Sequence, residues 1–283
     1  MQSLCPLPPT LIIPIMFQTF KIATLKINAM LTNARLQLLE DFLWRQDIDF
    51  ALLQEVSHKT LNTVHRYTVR MNIGTDRRGT AFLAKDGLVL SNIHSFPSRR
   101  GMSASFRGLL IVNIYATSGA KKRQQREPFY KTEVVHLIPS SSTAMIITGD
   151  FNCVITNDDR TGQRNCSRAL ARLIQVLNLI DVWEATPTRT AHTHYITTGA
   201  SGIDRIYVTR DLRRRQQVAE TVAAAFTDHF AVILRLTVDV ACSLRAKGYW
   251  QMNVSFLSDP SFLQTTKENW EKWRTHMKYY QTE

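Results

Sequence analysis

Seven apolar runs of five to seven residues recur along the chain: KIATLKI (21–27), DFALLQ (49–54), GTAFLA (79–84), LLIVNIY (109–115), AMIIT (144–148), IDRIYV (203–208) and FAVILRL (230–236). Each is too short for a helix and rich in branched side chains, so each reads as a buried strand. Only two segments between them carry helical spacing: ARLQLLEDFLW (34–44), with Leu36, Leu39 and Leu43 on one face, and RALARLIQVLNL (168–179). Strands outnumber helices, and strands buried on both sides must stack face to face. The expectation is a sheet-rich α/β sandwich with helices on its outer faces. With 283 residues, 44% of them hydrophobic, the chain can fill one large core.

The second constraint is what closes these runs. In IITGDFNCV (146–154) a strand delivers a carboxylate and an amide, Asp150 and Asn152, within a few residues. Glu55 ends LLQE, Tyr115 ends NIY, Asp204 opens DRIYV, and Asp228 with His229 precedes the last strand. Strand ends of a packed sheet can bring such distant positions into one hollow. Glu55 with a second carboxylate offers hard oxygen ligands to one Mg²⁺. Asp150 can orient or deprotonate a water, Asn152 and Tyr115 can donate to phosphate oxygens, and His229 held by Asp204 can stabilise charge developing on phosphorus. The set describes metal-assisted phosphodiester hydrolysis.

Charge agrees with such a substrate. Thirty-five Lys and Arg against 23 Asp and Glu give +12, which favours polyanionic partners, nucleic acid first. The clusters Arg99-Arg100, Lys121-Lys122-Arg123 with Arg126, and Arg213-Arg214-Arg215 are candidates for backbone binding, although each taken singly also fits a solvated surface patch. Four scattered cysteines, Cys5, Cys153, Cys166 and Cys242, form neither a zinc pair nor a disulfide framework and fit a reducing compartment. Residues 4–17 are apolar but lack a basic leader and are broken by prolines, so neither a secretory signal nor a membrane span is expected. Residues 1–19 read as an N-terminal extension outside the fold. His192 and His194 alternate on one strand face, but without a further ligand at suitable spacing they read as polar strand residues rather than a zinc site. Asn165 or Ser167 reads as the cap of the helix that Arg164 and Arg168 flank.

LLQE, NIY, GDFN, IDRIYV and TDHF, in this order over residues 20–236, resemble the endonuclease/exonuclease/phosphatase superfamily. Within it, NIYATSG, GDFNCVITNDDRTG and THYITTGASGIDRIYV look like the endonuclease domains of LINE-type (non-LTR) retrotransposons. The resemblance implies a DNase I-like two-sheet α/β sandwich and a DNA endonuclease dependent on Mg²⁺, or on Mn²⁺ in its place. Such enzymes nick target DNA to leave a 3′-hydroxyl for reverse transcription, which implies a nuclear location. By the same resemblance Glu55 and Asp228 hold the metal, Tyr115 contacts phosphate, Asp150 and Asn152 activate water, Asp204 and His229 form a dyad, Asn28 supports the first strand, and Thr193 contacts phosphate. Arg213, Arg214 and Arg215 are expected on the DNA surface.

GYWQMNVSFLSDPSFLQTTKENWEKW (248–273) is similar to the connector that in those elements leads to reverse transcriptase, which does not follow here. Residues 237–283 are therefore expected to be a connector holding Trp250, Trp270 and Trp273, with Asp259 capping a helix that starts at Pro260.

The main departure is Lys26. Family members read L-N-I-N-G where this chain has Leu25-Lys26-Ile27-Asn28-Ala29, so a full positive charge replaces an amide beside the metal. At ~5 Å and an effective dielectric of ~20, the bare repulsion on a divalent ion is roughly 6–7 kcal/mol. The expectation is that Lys26 pairs with Glu55 or Asp228, substitutes in part for the cation and weakens or abolishes activity. Ala29 for Gly, Thr117 for Pro and Gly202 for Arg are lesser departures. The alternatives are a DNA-binding module without catalysis, marked by salt-sensitive binding without cleavage, and a phosphatase of the same superfamily acting on a small or lipid phosphoester.

Overall fold

The structure, a computed structural model, describes residues 16–29, 32–57, 64–73, 79–119, 122–136, 138, 144–161, 166–185, 192–197, 199–240 and 260–279. Lys121, Arg164, Asn165, Trp250 and Asp259, singled out above, lie outside the described residues, as does the side chain of Trp273.

The chain first builds β1 (Met16–Lys26), α1 (Asn33–Arg45), β2 (Phe50–Gln54), β3 (Tyr67–Ile73) and β4 (Gly79–Lys85). A second sheet then takes β5 (Ser91–Ser95), β6 (Gly101–Phe106), β7 (Leu109–Tyr115) and, after α2 (Arg123–Lys131) and α3 (Glu133–His136), β8 (Ala144–Asp150). Next come α4 (Arg168–Val176), β9 (Leu179–Asp181), the ribbon β10 (His194–Ile196) and β11 (Gly199–Ser201), and β12 (Asp204–Thr209). After α5 (Arg210–Arg213), the strands β13 (Gln216–Ala223) and β14 (Phe230–Val240) return to the first sheet. The sheet orders are β13-β14-β1-β2-β4-β3 and β5-β6-β7-β8-β12-β9. Each sheet has one parallel pair, β1 with β2 and β7 with β8, and in each the crossover such a pair requires carries the helices.

Alternation along the strands makes the layers. On one face Phe20, Ile22, Phe50, Leu52, Ile111, Ile146, Ile206 and Val232 form the core between the sheets. On the other face of the first sheet Ala23, Leu25, Ala51 and Leu53 receive Leu36, Leu39 and Leu43 of α1, the stripe expected from their spacing. The outer face of the second sheet packs Val112, Ile114 and Ile147 against Phe129 of α2 and Leu170 and Leu173 of α4. Two mixed sheets are thus enclosed by helices, the α/β sandwich the strand runs imply.

Two boundaries differ from the sequence reading. β1 pairs with β14 from Met16 opposite Val240 to Thr24 opposite Val232, so the sheet extends about four residues beyond residues 20 and 236 at each end. On β14 the alternation continues through Leu236 and Val238 into the core between the sheets, and the start of β1 gains its order from the ladder beside it. The second helix stops at Val176 rather than 179: Asn178 turns left-handed (φ 49°) and Leu179 starts β9. Its cap is Ser167, whose hydroxyl accepts from the Leu170 N–H at 3.1 Å.

A separate unit contains α6 (Pro260–Tyr279), which starts at the proline expected to open it. Leu263 and Trp270 are exposed on it.

Candidate active site

The inward face of each central strand changes character toward one end. Beyond the apolar row lies a polar row of Thr24, Gln54, Thr80, Asn113 and Thr148, every one of them fully buried. The Gln54 amide donates to Thr24 Oγ1 (2.9 Å) and across the sheets to Asn113 Oδ1 (2.7 Å), and the Asn113 amide donates back to the carbonyls of Leu53 and Ala81 (3.0 Å each). This cross-sheet network fixes the spacing of the two sheets beneath the site, because a misplaced sheet would strand buried amides.

Two residues further along the same faces stand Lys26, Tyr115, Asp150 and Asp204. Tyr115 is in register with Asp150, and Asp150 with Asp204, so one row of the second sheet presents a phenol and two carboxylates. Gly149 (φ 139°) makes that row possible, because a Cβ there would lie 1.9 Å from the Ile114 carbonyl oxygen. Glu55 follows β2 in a left-handed conformation (φ 55°), as do Asn28 (48°), Ala29 (64°) and Asn152 (50°). Four non-glycine residues in this region at one end of the molecule are strain held by the surrounding fold.

Asp204 is completely buried and bonds His229 Nδ1 through Oδ2 at 2.7 Å. Burial opposes charging of His229, but Asp204, through its charge and its hydrogen bond, and Asp150 outweigh it, so its pKa lies above the ordinary imidazole value. Asp150, also completely buried, accepts from the Asn152 N–H at 2.9 Å, and the Asn152 amide donates to the Ala116 carbonyl at 2.7 Å. Burial and then the neighbouring Asp204 raise the Asp150 pKa above the usual carboxylate range, partly offset by Lys26. The Tyr115 hydroxyl donates to Glu55 Oε2 at 3.1 Å, and burial pushes the phenol up to about 12.

Lys26 occupies the middle. Its ammonium lies 3.5 Å from Glu55 Oε2 and 3.3 Å from Asp150 Oδ2. The expected pairing with Glu55 is present, but the other partner is Asp150 rather than Asp228. The side chain leaves the inward face of β1, opposite the second sheet, and so reaches Asp150. Burial works against its charge, yet Asp150, Tyr115, Glu55 and Asp204 together raise its pKa. Asp228 instead accepts from the Asn28 amide at 2.6 Å, and the same amide lies 3.4 Å from Thr227 Oγ1. Asn28 therefore orients Asp228.

This arrangement does not fit Mg²⁺ as the sequence implied. An ion held by Glu55 would need oxygens at ~2.0–2.1 Å in near-octahedral order. The ammonium already lies between Glu55 and Asp150, and a divalent ion bound beside it there would compete with its charge for the same carboxylates.

Two expectations about substrate contacts are corrected, and a third group of residues stands at the other end of β12. Thr193 is fully buried and its hydroxyl donates to Asp204 Oδ2 at 2.6 Å, so it positions Asp204 instead of reaching phosphate. Arg126 is 1% exposed and donates to the carbonyls of Thr117 (2.9 Å) and Gly119 (3.3 Å), so it braces the loop after Tyr115 and is not a DNA contact. Arg213, Arg214 and Arg215 follow the end of β12 opposite Asp204. Five residue steps at ~3.3 Å put Thr209 roughly 17 Å from Asp204, so these arginines start from the other end of β12. Arg100 does belong to the site, with its guanidinium 5.3 Å from the Tyr115 ring centre. His194, read above as an ordinary strand residue, packs against His229 with ring centres 4.5 Å apart and planes tilted by 32°. Only its neighbourhood to Thr193 hinted at that in the sequence.

A sequence model of the Endonuclease/Exonuclease/phosphatase family matches residues 23–229. The chain is 32% identical over 181 residues to the Transposon TX1 uncharacterized 149 kDa protein of Xenopus laevis, covering 61% of this chain and 14% of that protein. The chain thus spans about a seventh of that relative. Among solved structures, an AP endonuclease from Archaeoglobus fulgidus superposes with a TM-score of 0.66 at 17% identity, over 78% of this chain and 99% of that one. A 3′ phosphatase from Neisseria, bound to a product DNA hairpin, gives the same TM-score at 17% identity over 77% and 99%. The sandwich is thus of the DNase I-like type found in AP endonucleases. With well over half its length matched by the family model, the chain belongs to the endonuclease/exonuclease/phosphatase family.

Proposed function

We propose that this chain is a DNA phosphodiesterase of the LINE-type retrotransposon endonuclease branch in which Lys26 holds the position of the metal. The observation that carries the reading is the single row of Tyr115, Asp150 and Asp204, with His229 bonded to Asp204 and the Lys26 ammonium between Asp150 and Glu55. Its likeness to a transposon protein and its DNase I-like fold support the choice of DNA.

In this reading a phosphate seats over the row. Asp150 has a raised proton affinity, so its Oδ2, beside the Lys26 ammonium, takes the proton of an attacking water that Asn152 helps to orient. His229, held charged by Asp204, donates to an oxygen that gains charge as the phosphorus–oxygen bond breaks, and Lys26 and Arg100 add positive potential. The water oxygen ends on phosphorus, and the departing 3′-oxygen takes up a proton to leave a 3′-hydroxyl. A fixed monocation stabilises a developing dianion less than a divalent ion does, so nicking is slow. Arg213, Arg214 and Arg215 have no part in it.

The test is nicking of supercoiled plasmid across Mg²⁺ concentrations by the wild-type chain and Lys26→Asn. We expect the variant to gain Mg²⁺-dependent nicking at least ~10-fold above a wild type that ignores Mg²⁺, the factor that ~1.4 kcal/mol of regained metal affinity gives. Equal, metal-dependent rates would refute the role of Lys26. DNA binding without nicking by either folded protein would favour a binding module, and phosphate release from small esters alone would favour a phosphatase.

A further inference from the structure

His192 and His194 lack a third metal ligand in the sequence, yet the fold supplies two. The isolated bridge between His194 and His229 and the 2.7 Å bond from the Phe230 N–H to the Thr193 carbonyl tie the ribbon to the start of β14. The two imidazoles are thereby held together, tilted by 32° with ring centres 4.5 Å apart, and Asp228 Oδ2 lies 3.6 Å from His194 Nε2. His194, Asp228 and His229 each offer a ligand atom within 4.8 Å of the others. We propose that these three residues form a binding site for a borderline transition ion, with Zn²⁺ as its preferred occupant.

The supporting bonds are those a metal site needs. His229 gives Nδ1 to Asp204, which leaves Nε2 for the ion in a carboxylate–histidine–metal relay. Asp228 gives one oxygen to the Asn28 amide and keeps the other facing His194. Two imidazoles and one carboxylate select zinc over Mg²⁺, which wants oxygens only. His229 is 1% exposed, His194 21% and Asp228 58%, so the triad opens to solvent on the Asp228 side, where a water completes four ligands. Ligands on one tetrahedral zinc lie roughly 3.3 Å apart, so His194 and Asp228, the more exposed members, close on the buried His229 as the ion binds. The Lys26 ammonium pairs with Glu55 and Asp150 and not with the triad, although its charge reaches His194 and His229, so it lowers the affinity of the site without occupying it.

Zinc bound there takes the imidazole nitrogen that faces phosphate in the proposed hydrolysis, so it would hold the nuclease off. That consequence rests on the proposed function; the binding does not.

The test uses the full metal-free chain without DNA. Co²⁺ is titrated while its visible absorption is followed, and Zn²⁺ is then added to displace it. We expect one equivalent of Co²⁺, displaced by one of Zn²⁺, with Mg²⁺ in large excess unable to compete. His194→Gln, at a partly exposed position, should weaken Zn²⁺ by at least ~10-fold while circular dichroism stays unchanged, and Asp204→Asn by ~10–100-fold. His192→Gln should bind as the wild type does. Equal affinity in the wild type and His194→Gln, or a loss confined to His192→Gln, overturns the assignment.

Discussion

Replacing Lys26 by Met keeps the length of the side chain and removes the charge that Asp150 faces. At 3.3 and 3.5 Å, with an effective dielectric of ~20, the ammonium attracts Asp150 and Glu55 by about 5 kcal/mol each before desolvation is subtracted. The ends of this group are nearly dry, with 12% of the Lys26 side chain and none of Asp150 exposed. Removing one member of such a pair costs ~3–5 kcal/mol, because a buried charge is left alone. Asp150 can evade that cost by taking a proton. Its pKa is already raised in the wild type, and losing Lys26 raises it further. The difference between the two proteins is therefore full at pH above both folded-state values of Asp150. It disappears as the pH falls through them, a window lying wholly above the ordinary carboxylate value. Urea unfolding followed by far-ultraviolet circular dichroism at pH 8 and pH 5 measures it. Mg²⁺ supplies a second reading. It should raise the midpoint of Lys26→Met at pH 8, since the two carboxylates become free to bind it, and leave the wild type unchanged. A loss under ~1 kcal/mol at pH 8, or the same Mg²⁺ response in both, refutes the claim that the ammonium fills the metal position.

Imidazole NMR should place the His229 titration above the ordinary value, with Asp204→Asn bringing it down. Its contribution to stability is full below the unfolded value and is lost as pH rises through the folded one, so a midpoint unmoved by Asp204→Asn contradicts the dyad. Ala29 is held at φ 64°, and Ala29→Gly should stabilise by about 0.5–1 kcal/mol in the same urea assay; destabilisation would mean that the loop tolerates Ala. Joint replacement of Arg213, Arg214 and Arg215 should leave the salt dependence of DNA binding unchanged, whereas Arg100→Ala should lower the slope by about one contact. The opposite result would place DNA at the far end of the sandwich.

Much of this was legible from local pattern. The central strands announce themselves by short branched runs, and α1 by Leu36, Leu39 and Leu43. The outer strands do not. β5 is mostly exposed along its length and β3 only half-covered, so neither carries the apolar signal of a core strand. Thr193 and Arg126 look like surface polar groups by type, and only the carboxylate or carbonyls they meet explain their burial.

The sequence alone determined the central strands and what chemistry closes them, because alternation and strand ends are properties of a few neighbouring residues. It also supplied the Lys26 charge and the family's order of motifs. Tertiary structure decided which carboxylates that charge meets, that His194 and Asp228 stand beside His229, and that Arg213–Arg215 follow the end of β12 opposite Asp204. Those outcomes depend on cross-sheet spacing and strand direction, which are set by buried bonds such as Gln54 to Asn113 between residues far apart in the chain. No local window of sequence contains them.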